Sequence, residues 1–146
     1  MLWAVTGRDQ AIPASYVPRA NDLAADLSWQ GLREPQPLAD FLAFDVLAAG
    51  AALVGEVPLV MINEPMFIAD GANSHLRYNF FYPRWAYDQY RLLLGLRAAR
   101  EGWHYLDWWD RLPPAEFTDS PVHLTPAGTA QLAALLAPVI VGEDSP

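Results

Sequence analysis

Two short apolar runs, "VPLVMI" (57–62) and "WHYLDWW" (103–109), flank a stretch with helical spacing, and this order constrains the fold more than anything else in the chain. The first run is continuous and rich in β-branched residues, the pattern of a strand buried on both faces. Between the runs, Pro83 can open a helix with Ala86, Tyr90, Leu93, Leu94 and Ala98 facing inward and Asp88 and Arg91 facing outward, until Gly102 stops it. Strand, helix and strand in succession imply parallel pairing through a right-handed crossover. Upstream, Leu38, Leu42, Val46, Ala49 and Leu53 recur at steps of four and three, an amphipathic helix closed by Gly55. Downstream, Thr125 is an N-cap with Pro126 at the first helical position, Leu132, Leu135, Leu136 and Val139 form the inner stripe, and Pro138 is expected to kink or end the helix. The expected class is an α/β layered domain with parallel strands.

At 146 residues, 53% of them hydrophobic, the chain is long enough for one real core. A formal net charge of −8 argues against nucleic acid as a partner, because phosphate binding wants a basic face. The absence of cysteine excludes disulfides, thiol catalysis and thiolate metal sites. His75, His104 and His123 have no ligand spacing with one another or with a carboxylate pair, so no metal is expected, and no cofactor motif is visible. The apolar stretch 38–62 is interrupted by Asp40, Asp45 and Glu56, which favours a buried helix and strand over a membrane span. The start, "MLWAVTGRDQ", has neither the basic nor the long apolar region of a signal peptide, and the chain as written is expected to be soluble.

In parallel sheets the loops leaving the carboxyl ends of the strands build the site. Three segments qualify: Asn63 and Glu64, Asp107 to Asp110, and "FTDSPVHLTPAG" (117–128). In the last, His123 can accept a proton from a hydroxyl and return it to a leaving group if a carboxylate fixes its tautomer, and Asp119 is close enough to do so. The plainer alternative is that Asp119 caps a turn and His123 packs at the start of the helix. Asn63 can hydrogen-bond a substrate hydroxyl or an oxyanion, or it can close the strand end. "RYNFFYPRWAYDQY" concentrates aromatic side chains; Phe80, Phe81 and Trp85 read as a lid over the core, while Tyr78, Asn79 and Arg84 are the surface candidates for substrate. Asp107 is a second candidate for orienting His123, and Ser74, beside His75, is the weakest candidate nucleophile.

The block "FTDSPVHLTPAGTAQLAALL" resembles the last block of the SGNH/GDSL hydrolases, in which an Asp and a His on one loop precede the C-terminal helix. "VPLVMINEPMF" is similar to the strand and loop one crossover earlier in that family. The resemblance implies a three-layer α/β/α fold of SGNH type and serine esterase or O-acyltransferase chemistry on an acyl ester, a small molecule or a glycan. On it, His123 is the general base and Asp119 its orienting acid; Asn63, Glu64, Tyr78, Asn79 and Arg84 are the substrate contacts expected from the residues themselves. Residues 38–141 are then the C-terminal half of such a domain, after an irregular or helical segment 1–37 with a short helix from Asn21, and before a tail 142–146. Two positions depart from the family pattern: Ser120 stands where its Asp-x-x-His spacing has the acid, and no Gly-Asp-Ser block is present, "TGRD" (6–9) being only a faint echo of another block. The chain is therefore read as fragmentary or degenerate relative to that family. Some related transferases work outside the cytoplasm, and neither compartment nor oligomeric state is assigned here. The runner-up reading is a non-catalytic glycan- or partner-binding α/β module that uses the aromatic loop.

Overall fold

A computed structural model describes residues 22–34 and 36–142. "TGRD" (6–9), Ser15, Asn21 and residues 143–146 lie outside the described residues. Two strands, β1 (Val60–Asn63) and β2 (His104–Asp107), pair in parallel with Val60 opposite His104 and Asn63 opposite Asp107. Among the described residues three α-helices accompany them: α1 (Phe44–Val54), α2 (Arg84–Glu101) and α3 (Pro126–Val141). The chain is a small α/β fold, and α2 is the crossover between the parallel strands. β1 is shorter than its apolar run because Pro58, with no N–H, cannot join a ladder.

The first helix departs from its expected course. Residues Ala39–Phe41 form a single 3-10 turn, Leu42 is extended, and α1 begins only at Phe44 without a side-chain cap. Leu38 is fully buried, its N–H donates to the Gln89 side chain, and Leu42 is half-buried, but the helical part of the expected stripe turns outward, with Val46 70% and Leu53 88% exposed. The physical reason is the breadth of the sheet. With two strands among the described residues, little apolar surface is left for α1 to cover, and no residue of α1 is buried. The short helix expected from Asn21 is also absent from residues 22–29. That segment is instead held as irregular chain: Leu23 N–H donates to Ala72 C=O (3.1 Å), and Trp85 Nε1 donates to Leu27 C=O (2.7 Å).

The core sits in the loops at the carboxyl ends of the strands. Phe67, Ala69, Leu112 and Phe117 form one buried cluster, against which Leu132 and Leu135 of α3 pack as their spacing predicts. Met66, Tyr78 and Tyr87 form a second cluster, joined by Tyr82, Tyr90 and Trp109. Pro138 does not end α3. It falls in the final turn, where its missing N–H and its ring disturb only the bond to the carbonyl four residues back, and the helix runs on to Val141. Gly142 then closes it in the left-handed conformation (φ 76°).

Thr125 caps α3 as expected, its hydroxyl accepting from Gly128 N–H at 2.9 Å. The same hydroxyl donates to the Glu116 carboxylate, and Thr125 N–H donates to Glu116 C=O. This brings the residue-116 backbone so close to α3 that a Cβ on Gly128 would stand 2.8 Å from the Glu116 carbonyl oxygen. Gly128→Ala is therefore expected to destabilise the fold by about 1–3 kcal/mol through overpacking, read as a lower urea midpoint with an unchanged slope.

Candidate active site

The residues at the carboxyl end of the sheet are stitched together by main-chain hydrogen bonds. Trp108 N–H donates to Asn63 C=O (3.0 Å), Met66 N–H to Trp109 C=O (2.9 Å), and Phe67 N–H to Pro121 C=O (2.7 Å). The loops after β1 and β2 and the loop before α3 thus form one edge, where the strand order predicts a site.

Asp107 is the polar centre of that edge. One carboxylate oxygen accepts from Asn63 Nδ2 (2.8 Å) and the other from Arg91 Nε and a terminal guanidinium nitrogen (2.9 and 2.7 Å). Arg91, expected to face outward, is turned onto the sheet edge, with its guanidinium carbon 4.2 Å from the Trp109 ring centre. Burial works to lower the Arg91 pKa, but the Asp107 hydrogen bonds and charge overcome it and leave it raised. Asn63 is buried, and its remaining oxygen accepts from the Tyr87 hydroxyl (3.3 Å). Burial pushes the Tyr87 phenol up, which keeps it protonated as that donor. Asn63 therefore closes the strand end, and both oxygens of Asp107 are engaged away from His123.

The long loop after β1 is organised by Asn79, which is fully buried. Its oxygen accepts from Phe81 N–H and Tyr82 N–H (both 3.0 Å), and its nitrogen donates to Phe67 C=O (3.0 Å). Tyr78 is also buried, its hydroxyl donating to Asp88 (2.7 Å), and the Arg84 guanidinium carbon lies 4.1 Å over the Tyr78 ring centre while its Nε donates to Ser74 C=O. The surface positions expected for Tyr78 and Asn79 are thus corrected: hydrogen bonds of the loop itself hold them inside, and Arg84 is half-buried against them. The lid expected of Phe80 and Phe81 is corrected as well, because both rings are exposed, Phe81 at 56%. Buried Asn79 has no polar substitute at hand for the amides it binds, so Asn79→Ala is expected to cost about 2–3 kcal/mol, measurable by urea unfolding.

The acid–histidine loop is closed on itself. Phe117 and Leu124 pair as an antiparallel bridge, and Thr118 N–H donates to His123 C=O (2.8 Å). Across this narrow bend His123 Nδ1 lies 2.9 Å from Asp119 Oδ1. A carboxylate only accepts, so Nδ1 carries the proton and Nε2 is left as a proton acceptor. The His123 side chain is 45% exposed. Thr118 adds a hydroxyl bond to the same Asp119 oxygen (3.1 Å), a support that sequence spacing did not single out. Ser120 accepts from Val122 N–H (3.4 Å), and buried Pro121 carries the chain inward to Phe67.

No hydroxyl is hydrogen-bonded to the His123 ring among the described residues. The Ser28 hydroxyl donates to Asp26 (2.7 Å), and Ser74 lies in the turn after Gly71. Beside the acid–histidine loop, between β1 and the start of α2, a cleft of about 270 Å³ opens, with Val122, Glu64 and Tyr82 among its walls. Of the substrate contacts expected from the sequence, Asn63 and Glu64 reach this cleft, whereas Tyr78, Asn79 and Arg84 do not line it. Tyr82 and Tyr90, which do, were read only as loop aromatic and helix core. Among the described residues no cluster of three or more metal-ligating side chains occurs, and no helix is long and apolar enough to cross a membrane.

The hydrogen bond from His123 is the main cause that holds the Asp119 carboxyl below its ordinary value; burial opposes it, and the Asp119 backbone N–H, the Thr118 hydroxyl and the His123 charge reinforce it. A carboxyl depressed by folding contributes stability above the unfolded value of 3.8 and loses it as pH falls through the lower folded value. In a carboxyl-detected NMR titration Asp119 is expected to titrate below 3.8, and His123→Ala is expected to move its midpoint back upward. No family model, curated protein or solved structure matches this chain.

Proposed function

We propose that this chain is an SGNH-type α/β domain, of three layers when complete, that supplies the acid–base half of an ester hydrolase or O-acyltransferase site. The observation that carries the reading is the 2.9 Å pair of Asp119 with an exposed His123 ring at the carboxyl edge of a parallel sheet. In the reaction, His123 Nε2 takes the proton of an attacking hydroxyl as its oxygen bonds to the ester carbonyl. Asp119 then faces an imidazolium whose Nδ1–H it already accepts, so the charge forms in a prepared field. Collapse of the tetrahedral intermediate breaks the bond to the leaving alkoxide, which recovers the proton from Nε2. The substrate class is an acyl ester, of a small alcohol or of a glycan hydroxyl.

A second reading, a glycan- or partner-binding module without turnover, is favoured by one observation. Phe80 and Phe81 present adjacent exposed rings, with centres 4.7 Å apart, outside the core. Such rings stack on the apolar face of a sugar or on another protein.

Release of p-nitrophenol from its acetate ester tests the first reading. His123→Ala and Asp119→Ala are each expected to lower the rate by on the order of 10²–10⁴, while Ser74→Ala leaves it unchanged. Equal rates for wild type and His123→Ala would sink the catalytic reading. Sugar binding without hydrolysis, lost in Phe81→Ala, would favour the module.

A further inference from the structure

The cleft beside the acid–histidine loop is unlike a sugar site. Its walls are mainly apolar: Leu42, Met66 and Ala86 line it together with the aromatic side chains of Trp29, Tyr82 and Tyr90. The polar groups that reach it are largely committed, since the Asn63 amide is held by Asp107 and Tyr87. Glu64 differs, being exposed at the mouth with no hydrogen bond or ion pair among the described residues. A pyranose requires several convergent hydrogen-bonding groups, whereas this lining offers the Glu64 carboxylate and the phenols of Tyr82 and Tyr90 among otherwise apolar walls. A carboxylate at the mouth also repels an anionic ligand. At about 270 Å³ the cleft is small for a ligand pocket, room for a short chain and not for a long lipid tail. Val122, adjacent to His123 in sequence, lines the same cleft, while the His123 ring itself is not one of its walls.

We propose that this cleft is an acyl pocket, taking the apolar tail of an uncharged ester of roughly six acyl carbons, with Glu64 at its mouth excluding free carboxylates. Naming the tail an acyl group rests on the ester reading above, whereas the binding itself needs no turnover. The occupant lies with its chain along Met66 and Ala86 and its carbonyl toward the Val122 side. Selectivity then follows from length: a longer chain leaves methylenes in water, and a shorter one leaves the aromatic side uncovered.

The test is a methyl-detected NMR titration of the full chain with methyl hexanoate, following the Ala86 and Val122 methyl groups. Saturable shifts of both are expected. Hexanoate anion is expected to bind about fivefold more weakly, the effect of one charge near another in a solvated mouth, and Glu64→Gln is expected to remove that difference. Ala86→Phe is expected to weaken methyl hexanoate by roughly tenfold or more. Leu42→Phe fills the cleft from the loop before α1 and serves if the helix variant does not fold. Methyl α-glucopyranoside shifting the same methyl groups as strongly, or methyl hexanoate shifting neither, would overturn the proposal. Saturable binding together with an inert p-nitrophenyl ester would leave the pocket standing and remove the hydrolase reading.

Discussion

The carboxylate of Asp107 joins the parts of this fold that would otherwise meet only through a short parallel ladder. It accepts Asn63 from the neighbouring strand and the fork of Arg91 from the crossover helix. A parallel pair of four residues in each strand is too small to be stable unaided. A charge-assisted, forked bond at the strand ends sets the register, holds α2 on the sheet and turns Asn63 away from solvent. Arg91 is covered in turn by Trp109, which shields the pair from water on one side.

From that anchor the packing grows forward into the loops and not backward into the sheet. Met66 and Phe67 leave β1 and are tied at once to the loops after β2 and before α3. Asn79 then folds the aromatic segment over them by satisfying amides no strand or helix reaches. The result is an edge with a fully buried phenylalanine, Phe117, and an opposite side where α1 keeps Val46 and Leu53 in water. Rigidity is thus concentrated where a ligand would lie. The bend from Thr118 to His123 benefits most, because its backbone is closed across Phe117–Leu124 and Thr118–His123, which keeps the Asp119 and His123 backbones close.

Much of this was legible in the sequence. Two apolar runs separated by a helical stretch require parallel pairing, since the crossover leaves no shorter route, and proline at 126 after a threonine marks the start of the last helix. The acid and histidine four residues apart on a proline-bracketed segment are close enough that few backbone paths keep them from meeting. Local chemistry of that kind survives into the fold because it depends on neighbours in the chain. The helix from Leu38 and the surface roles of Tyr78 and Asn79 were not legible, because periodicity reports that a face is apolar without saying whether anything covers it. Tyr78 and Asn79 look polar enough for the surface until the amides and the carboxylate that bind them are in view.

What the sequence alone determined is the order of elements and the parallel sense of the strands; it offered Asp119 as a partner for His123 beside other readings, and the fold decided for that pair. Tertiary structure decided which polar groups are already committed. Asn63, Arg91 and Asp107 could each have been a ligand-binding group on sequence grounds, and contacts between residues 16 or 44 positions apart instead bind them to one another. The cleft likewise exists only in three dimensions, because its walls come from distant segments whose proximity no local pattern encodes.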